Sequence, residues 1–210
     1  MSDDGVNRTR RRLIGITTGL GVVGTAFAAA PFVLSMTPSA RARAAGAPVE
    51  IDISKVEPGQ MLTVEWRGKP VWIVRRTLEM LNGINEANTL VADPSSAVES
   101  QQPAYAKNKF RSIKPEYVVL VGICTHLGCA PLAKLQAGPE AGLGNNWPGG
   151  FFCPCHGSKF DLAGRVFKNV PAPTNLEVPP HAYVTDERTG VNRIIIGVDR
   201  IGKQRQEGVA

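Results

Sequence analysis

All four cysteines and two of the three histidines of this 210-residue chain fall in two short clusters. The first is Cys124-Thr125-His126-Leu127-Gly128-Cys129, and the second is Cys153-Pro154-Cys155-His156-Gly157-Ser158. Thiolate sulfur and neutral imidazole are the side-chain donors that hold soft and borderline metal ions. A structural zinc site takes four of them, commonly spaced C-x2–4-C and H-x3–5-H. Six donors are two too many for one zinc ion, and Cys-x-His is tighter than a zinc-finger pair. A disulfide, admissible in an oxidising compartment, would absorb two cysteines and leave four ligands. The clusters therefore read as an exported metal centre fastened by one disulfide, or as a zinc-stabilised interaction domain. The second would be colourless and EPR-silent.

A rigid scaffold has to present these donors. From Val49 onward the chain shows short β-rich runs separated by turn signals, which predicts an all-β body. Leu62–Trp66 and Val71–Arg75 flank Arg67-Gly68-Lys69-Pro70, a hairpin signal. Tyr117–Ile123 (YVVLVGI) leads straight into the first cluster and reads as a buried strand by length and β-branching. Ala182–Thr185 and Arg193–Val198 flank a turn near Asp186–Gly190 and should pair, while Thr77–Asn82 reads as one or two helical turns. Leu135–Gly150 is rich in Gly and Asn and reads as a surface loop. Its glycines lack a strand-to-helix context and a P-loop lysine, which argues against a phosphate cradle. No internal repeat is present. His181 lies outside both clusters and reads as a structural residue; Trp66, Trp72 and Trp147 read as core or loop anchors.

Composition places the body among ordinary globular domains, with 43% hydrophobic and 20% charged residues. The formal charge of +6 suggests a nucleic-acid partner until the chain is divided at Pro48. Six arginines (8, 10, 11, 12, 41 and 43) against Asp3 and Asp4 give the first segment +4, leaving only +2 on the rest. With aromatics at 6%, neither a basic binding face nor a base-stacking platform is indicated, so no nucleic-acid partner is expected.

Residues 13–36 (LIGITTGLGVVGTAFAAAPFVLSM) carry no charge over 24 residues. A helix crosses the roughly 30 Å hydrocarbon layer in about 20 residues, so this stretch is a candidate transmembrane helix. The flanking arginines, four before and two after, leave residues 1–12 cytoplasmic and send the body outward. Pro31 should kink the helix or end it early. Gly15-x-x-x-Gly19 permits close helix packing, though it also fits apolar filler. Arg10-Arg11-Arg12-Leu13-Ile14 resembles a twin-arginine export signal, and a generic basic flank has the same composition. Ala40-Arg41-Ala42 and Ala42-Arg43-Ala44 look like cleavage sites, but the apolar run exceeds the usual signal core and favours a retained anchor. Residues 37–48 (TPSARARAAGAP) form a small-residue, basic tether, and 49–210 form the head, with a cluster-binding subdomain at about 118–180.

C-T-H-L-G-C followed by C-P-C-H-G-S resembles the signature of the Rieske iron–sulfur proteins of quinol:cytochrome c oxidoreductases, the cytochrome bc1 complexes. The resemblance extends over Glu57-Pro58-Gly59-Gln60, Phe160-Asp161, Gly164-Arg165, Pro171-Ala172-Pro173 and Asn175–Pro180. It implies an antiparallel β-sandwich head with a small cluster-binding subdomain, plus one N-terminal transmembrane helix. It further implies one [2Fe–2S] cluster held by Cys124, His126, Cys153 and His156, with a Cys129–Cys155 disulfide. In such centres two histidines replace two cysteines on one iron, and the potential rises to roughly −150 to +300 mV. The physical reason is charge: neutral imidazoles in place of thiolates oppose an added electron less. Reduction also makes the imidazoles more basic, which couples electron and proton uptake.

The resemblance also assigns roles and partners. His156 would accept the quinol hydrogen bond and proton, Leu127 would line the docking tip, and Ser158 would donate to a cluster sulfur. The partners implied are cytochrome b, cytochrome c1, ubiquinol and the bacterial inner membrane, in a dimeric complex with the head periplasmic. Such a complex is a quinol:cytochrome c oxidoreductase. A Rieske subunit of an exported oxidase of the arsenite oxidase type shares the export signal and the disulfide, and is the alternative. The Leu176–Pro180 match and the anchor argue against it. A soluble oxygenase ferredoxin generally lacks both the extra cysteine pair and the anchor. Two positions depart from the family pattern: Phe160 where many members have Tyr, and Val170 where many have Gly.

Overall fold

The computed structural model describes residues 7–40, 44, 46–140, 142–185 and 192–199. The chain divides into two compact units, Met1–Ala44 and Ala45–Ala210. In the first, helix α1 spans Arg8–Ser35, with the Asn7 side chain accepting from the Arg10 backbone N–H at 3.1 Å to cap it. None of its residues is buried. It is long and apolar enough to cross a membrane by length and composition. The early end anticipated at Pro31 does not occur. The helix runs four residues further to Ser35, with Pro31 inside it. Arg41–Arg43 lie outside the described residues, so both Ala-Arg-Ala sites do too in part, as does part of the tether.

In the second unit the strands are β1 (Val49–Asp52), β2 (Met61–Trp66), β3 (Lys69–Arg75), β4 (Tyr117–Val121), β5 (Leu132–Lys134), β6 (Gly138–Glu140), β7 (Gly144–Trp147), β8 (Gly150–Cys153), β9 (Ser158–Asp161), β10 (His181–Thr185) and β11 (Asn192–Ile196). Helix α2 (Leu78–Glu86) follows β3 and is capped by the Thr77 hydroxyl. All pairings are antiparallel: β1-β11-β10, β2-β3-β4, β5-β8-β9, and the hairpin β6-β7.

The β2-β3-β4 sheet is the middle of three layers. Every residue of β4 is buried, and its side chains alternate between two cores as strand periodicity requires. Val119 and Val121, with Val71 and Ile73 of β3, pack against Ile51, Ile194 and Ile196 of the first sheet. Val118 and Leu120, with Trp72 and Val74, face the opposite way onto Phe151, Phe160, Cys124 and Cys153. The candidate centre thus sits on a sheet that is held from behind. Helix α2 buries Met80 and Ile84 against Leu162 and Ala163, just beyond β9.

The β2–β3 hairpin turns on Arg67 and Gly68 alone, both at positive φ, the geometry of a two-residue turn matched to strand twist. Lys69 and Pro70 already belong to β3. The stretch Leu135–Gly150 is not a plain surface loop: it contains the β6–β7 hairpin, and Leu143 and Trp147 are buried. β10 and β11 pair as anticipated, while the turn at Asp186–Gly190 lies outside the described residues.

Candidate metal centre

Both clusters fold the same way. The Cys124 carbonyl accepts from the Gly128 N–H at 3.0 Å, and the Cys153 carbonyl accepts from the Gly157 N–H at 2.9 Å. Each knuckle closes through a glycine in the left-handed region, Gly128 at φ +83 and Gly157 at φ +79, where a side chain is disfavoured. The first grows from the end of β4 and the second from the end of β8. Each knuckle therefore hangs on a short strand from the same core.

Burial separates the donors by type. The Cys124 and Cys153 thiols are each 2% exposed and unbridged, and they lie close enough to hydrogen bond to each other. His126 is half-buried and His156 exposed, with ring centroids 4.8 Å apart and planes perpendicular. Leu127 protrudes at the tip, 71% exposed. Cys129 and Cys155 form a disulfide across the knuckles. The sulfurs of Cys129, Cys153 and Cys155 lie within 4.8 Å of one another, but two of the three are consumed in that bridge and offer no thiolate. The remaining set is two buried thiols and two outer imidazoles.

Burial pushes the Cys124 thiol up, and the adjacent Cys153 thiol adds to this; the His126 backbone N–H and the Ser158 hydroxyl pull the other way. Two adjacent free thiols in an apolar pocket are donors suited to a soft metal centre, which deprotonates its ligands outright. The two imidazoles on the solvent side complete a mixed sulfur–nitrogen set. The residues present fit a two-iron cluster with His2Cys2 ligation.

A proline-rich strap covers both knuckles. The Thr125 hydroxyl donates to the Thr174 carbonyl at 2.7 Å, and the Ala172 N–H donates to the Ser158 hydroxyl oxygen at 3.1 Å. The Val121 N–H donates to the Glu177 carbonyl at 2.8 Å, fastening the strap to β4. Val170 in place of glycine costs no strain, since the left-handed residue is Asn169 at φ 58.

Sequence reasoning gave no role to the buried polar foundation. Asp161 accepts from the backbone N–H groups of Ala163 and Arg165 and from Arg165 Nε at 2.8 Å. Arg165 continues to the Ile84 carbonyl, Arg111 to the carbonyls of Ala163, Gly164 and Gln101, and Arg76 to those of Phe110, Pro115 and Leu162. Burial lowers Arg76 and Arg111 to about 10, which leaves both charged at neutral pH. The one hint was the Asp161…Gly164-Arg165 pattern, which marks the turn these guanidinium groups hold. His181 is fully buried, with Nδ1 2.9 Å from the Pro179 carbonyl oxygen, a structural position.

Comparison with known proteins agrees with this geometry. A profile described as "Rieske [2Fe-2S] domain" matches residues 48–180, and one described as "Ubiquitinol-cytochrome C reductase Fe-S subunit TAT signal" matches residues 1–39. The class is therefore that of a Rieske protein, with a [2Fe–2S] cluster as its cofactor and a twin-arginine export segment. The chain is 59% identical over 201 residues to the ubiquinol-cytochrome c reductase iron-sulfur subunit of Allochromatium vinosum, covering 95% of this chain and 94% of that one. The subunit of the same name from Blastochloris viridis is 42% identical over 188 residues, covering 89% and 94%. A chain of a solved structure titled "Hyperthermophilic respiratory Complex III" is 30% identical with a TM-score of 0.43, over 85% of this chain and 97% of that one. This chain belongs to the family of Rieske iron–sulfur subunits of ubiquinol-cytochrome c reductases. These relatives do not favour the exported arsenite-oxidase-type alternative, and the zinc-domain reading falls with it.

Proposed function

We propose that the chain is the electron-transfer subunit of a cytochrome bc1 complex, taking electrons from ubiquinol at cytochrome b and passing them to cytochrome c1. The observation that supports this most directly is the donor set, two buried thiols and two outer imidazoles on twin knuckles clamped by a disulfide. Cys124 and Cys153 would hold the inner iron, and His126 and His156 the outer one. When bound, the cluster supplies a one-electron acceptor of high potential. His156, exposed at the tip, accepts the quinol hydrogen bond and takes its proton at the ring nitrogen not used for ligation. Leu127 offers an apolar contact at the same tip and excludes water from the docked face. The Ser158 hydroxyl would donate to a cluster sulfur, and its pull on the Cys124 thiol towards the charged form supports that role.

Arginine-rich flanks around residues 13–36 support a cytoplasmic N-terminus and a periplasmic head; the helix would stay as the anchor in the bacterial inner membrane, within a dimeric complex. Residues 37–48 would form the tether that lets the head travel between its two partners. Purification with the membrane partners tests the reading. The preparation should contain two irons and two acid-labile sulfides per chain, show a rhombic EPR signal averaging below the free-electron value when reduced, and catalyse quinol-dependent cytochrome c reduction. Absence of iron and labile sulfide would refute the cluster assignment. A polyproline replacement of the tether should slow turnover and leave the EPR signal intact; unchanged turnover removes the travelling role.

A further inference from the structure

We infer that Trp72 is a positioning residue that sets the spacing between the roots of the two cluster-holding knuckles, which the disulfide ties to each other beside the Cys153 thiol. Trp72 projects from β3 of the middle sheet into the core that contains Cys124 and Cys153. One face of its indole stacks on Phe151, centroids 4.8 Å apart and planes within 14°. Phe151 stands two residues before Cys153 on β8. The far edge of the same indole lies directly on Gly122, two residues before Cys124. A methyl group at Gly122 would collide with Cε2, Cζ2 and Nε1 of the ring. A single rigid bicycle is thus wedged between the roots of the two knuckles, at matching distances along the chain from the two thiols. The Gly122 N–H is also fastened to the Pro70 carbonyl at 2.8 Å, so the root cannot slide away from β3. Aromatic side chains have few rotatable bonds and fix a separation better than aliphatic ones of equal volume. Glycine at 122 is required by this approach, not by its backbone angle, since it is absent from the positive-φ glycines.

The inference rests on the assignment of Cys124 and Cys153 as ligands, and its test separates the two. The full-length chain is purified in detergent with its cluster. Iron and labile sulfide in the unaltered protein read the ligand assignment alone. The g values of the reduced protein and its midpoint potential, compared across variants, read Trp72. Trp72→Phe keeps a stacking ring on Phe151 and withdraws the edge from Gly122; it is expected to shift both the g values and the midpoint. Gly122→Ala presses on the ring from the other side and should also shift them. The double variant gives the new methyl the vacated space, and is expected to lie closer to the unaltered protein than either single variant. Val74→Ala, on the same strand and the same face, should lower the melting temperature without moving the spectrum. Unchanged g values and midpoint in Trp72→Phe, or double-variant shifts equal to the sum of the singles, overturn the proposal. Where Trp72→Phe does not accumulate, Gly122→Ala decides alone, and an unmoved spectrum in it is equally fatal.

Discussion

Ser158→Ala separates what one hydroxyl does for the cluster from what it does for the fold. Ser158 opens β9 and is fully buried. Its oxygen accepts from the Ala172 N–H at 3.1 Å, and the hydroxyl holds the Cys124 thiol down, as a donor to that sulfur would. A hydroxyl has one proton to donate and two lone pairs, so both bonds can be made at once. A hydrogen bond to a charged group is worth about 1.5–3 kcal/mol. For one electron, about 1.4 kcal/mol corresponds to roughly 59 mV. If the whole bond were felt only by the reduced state, its loss would lower the midpoint by about 60–130 mV. Because the oxidised state feels part of it, the expected fall is several tens of millivolts. Alanine also orphans the buried Ala172 N–H, at about 1–3 kcal/mol. At about 2–4 °C per kcal/mol for a unit of this size, melting should drop by roughly 2–12 °C. Film voltammetry and calorimetry of the same preparation read the two effects independently. A lowered melting temperature with an unmoved or raised midpoint would show that the hydroxyl serves only the strap.

Phe160→Tyr runs the experiment in the opposite direction. Phe160 is fully buried in the core that holds both thiols, and a phenol there adds a donor, so voltammetry should show a midpoint raised by tens of millivolts up to about 100. Replacing Cys129 and Cys155 together by alanine opens a bridge between residues 26 apart. The chain-entropy estimate for that closure is about 3.5 kcal/mol, so melting should fall by roughly 7–14 °C, and an unchanged value would mean the bridge does not hold the knuckles. Asp161→Asn leaves Arg165, Arg76 and Arg111 buried without their shared carboxylate. Denaturant titration should show a loss of about 3–5 kcal/mol, and a loss under 1 kcal/mol would contradict the arrangement. For His181, burial holds the imidazole below its ordinary value of 6.5. The unfolded chain therefore binds the proton first as pH falls. Stability is fully present above pH 6.5 and declines below it, by at most about 1.4 kcal/mol per pH unit. His181→Phe should flatten the melting profile across that window; Tyr105, Tyr183 and the Pro179 carbonyl face the ring in both proteins.

Much of the site was legible because cysteine and histidine are scarce and their spacing is specific; little else competes for the meaning of C-T-H-L-G-C. The central strand was legible too, since a run buried on both faces needs no alternation to be seen. The cluster-binding sheet was harder. β5, β8 and β9 have three or four residues each, too short for a periodicity to register. The β6–β7 hairpin hid in a Gly- and Asn-rich composition whose only apolar signals were Leu143 and Trp147. Lys69 and Pro70 sit inside the four-residue turn signal, yet the turn needs only the two left-handed residues before them. Arg76, Arg111 and Arg165 were invisible for a different reason: arginine is almost always a surface residue, and only tertiary structure shows which carbonyls surround one.

Those arginines bear on why a carrier of single electrons is built this way. A group that gains and loses charge without making bonds works best where its surroundings are already oriented and stay so. The turn after β9 packs Leu162 and Ala163 against helix α2, but that contact leaves its buried backbone carbonyls in need of donors. Guanidinium groups satisfy them: Arg76 takes the Leu162 carbonyl, and Arg111 those of Ala163 and Gly164. Asp161 closes the turn from within through two backbone N–H groups and Arg165. The middle sheet then fixes β4, the disulfide ties the two knuckles to each other and the strap fixes Ser158. Each constraint acts on a different part of the two knuckles, so weakening any one should disturb the centre locally before it unfolds the head.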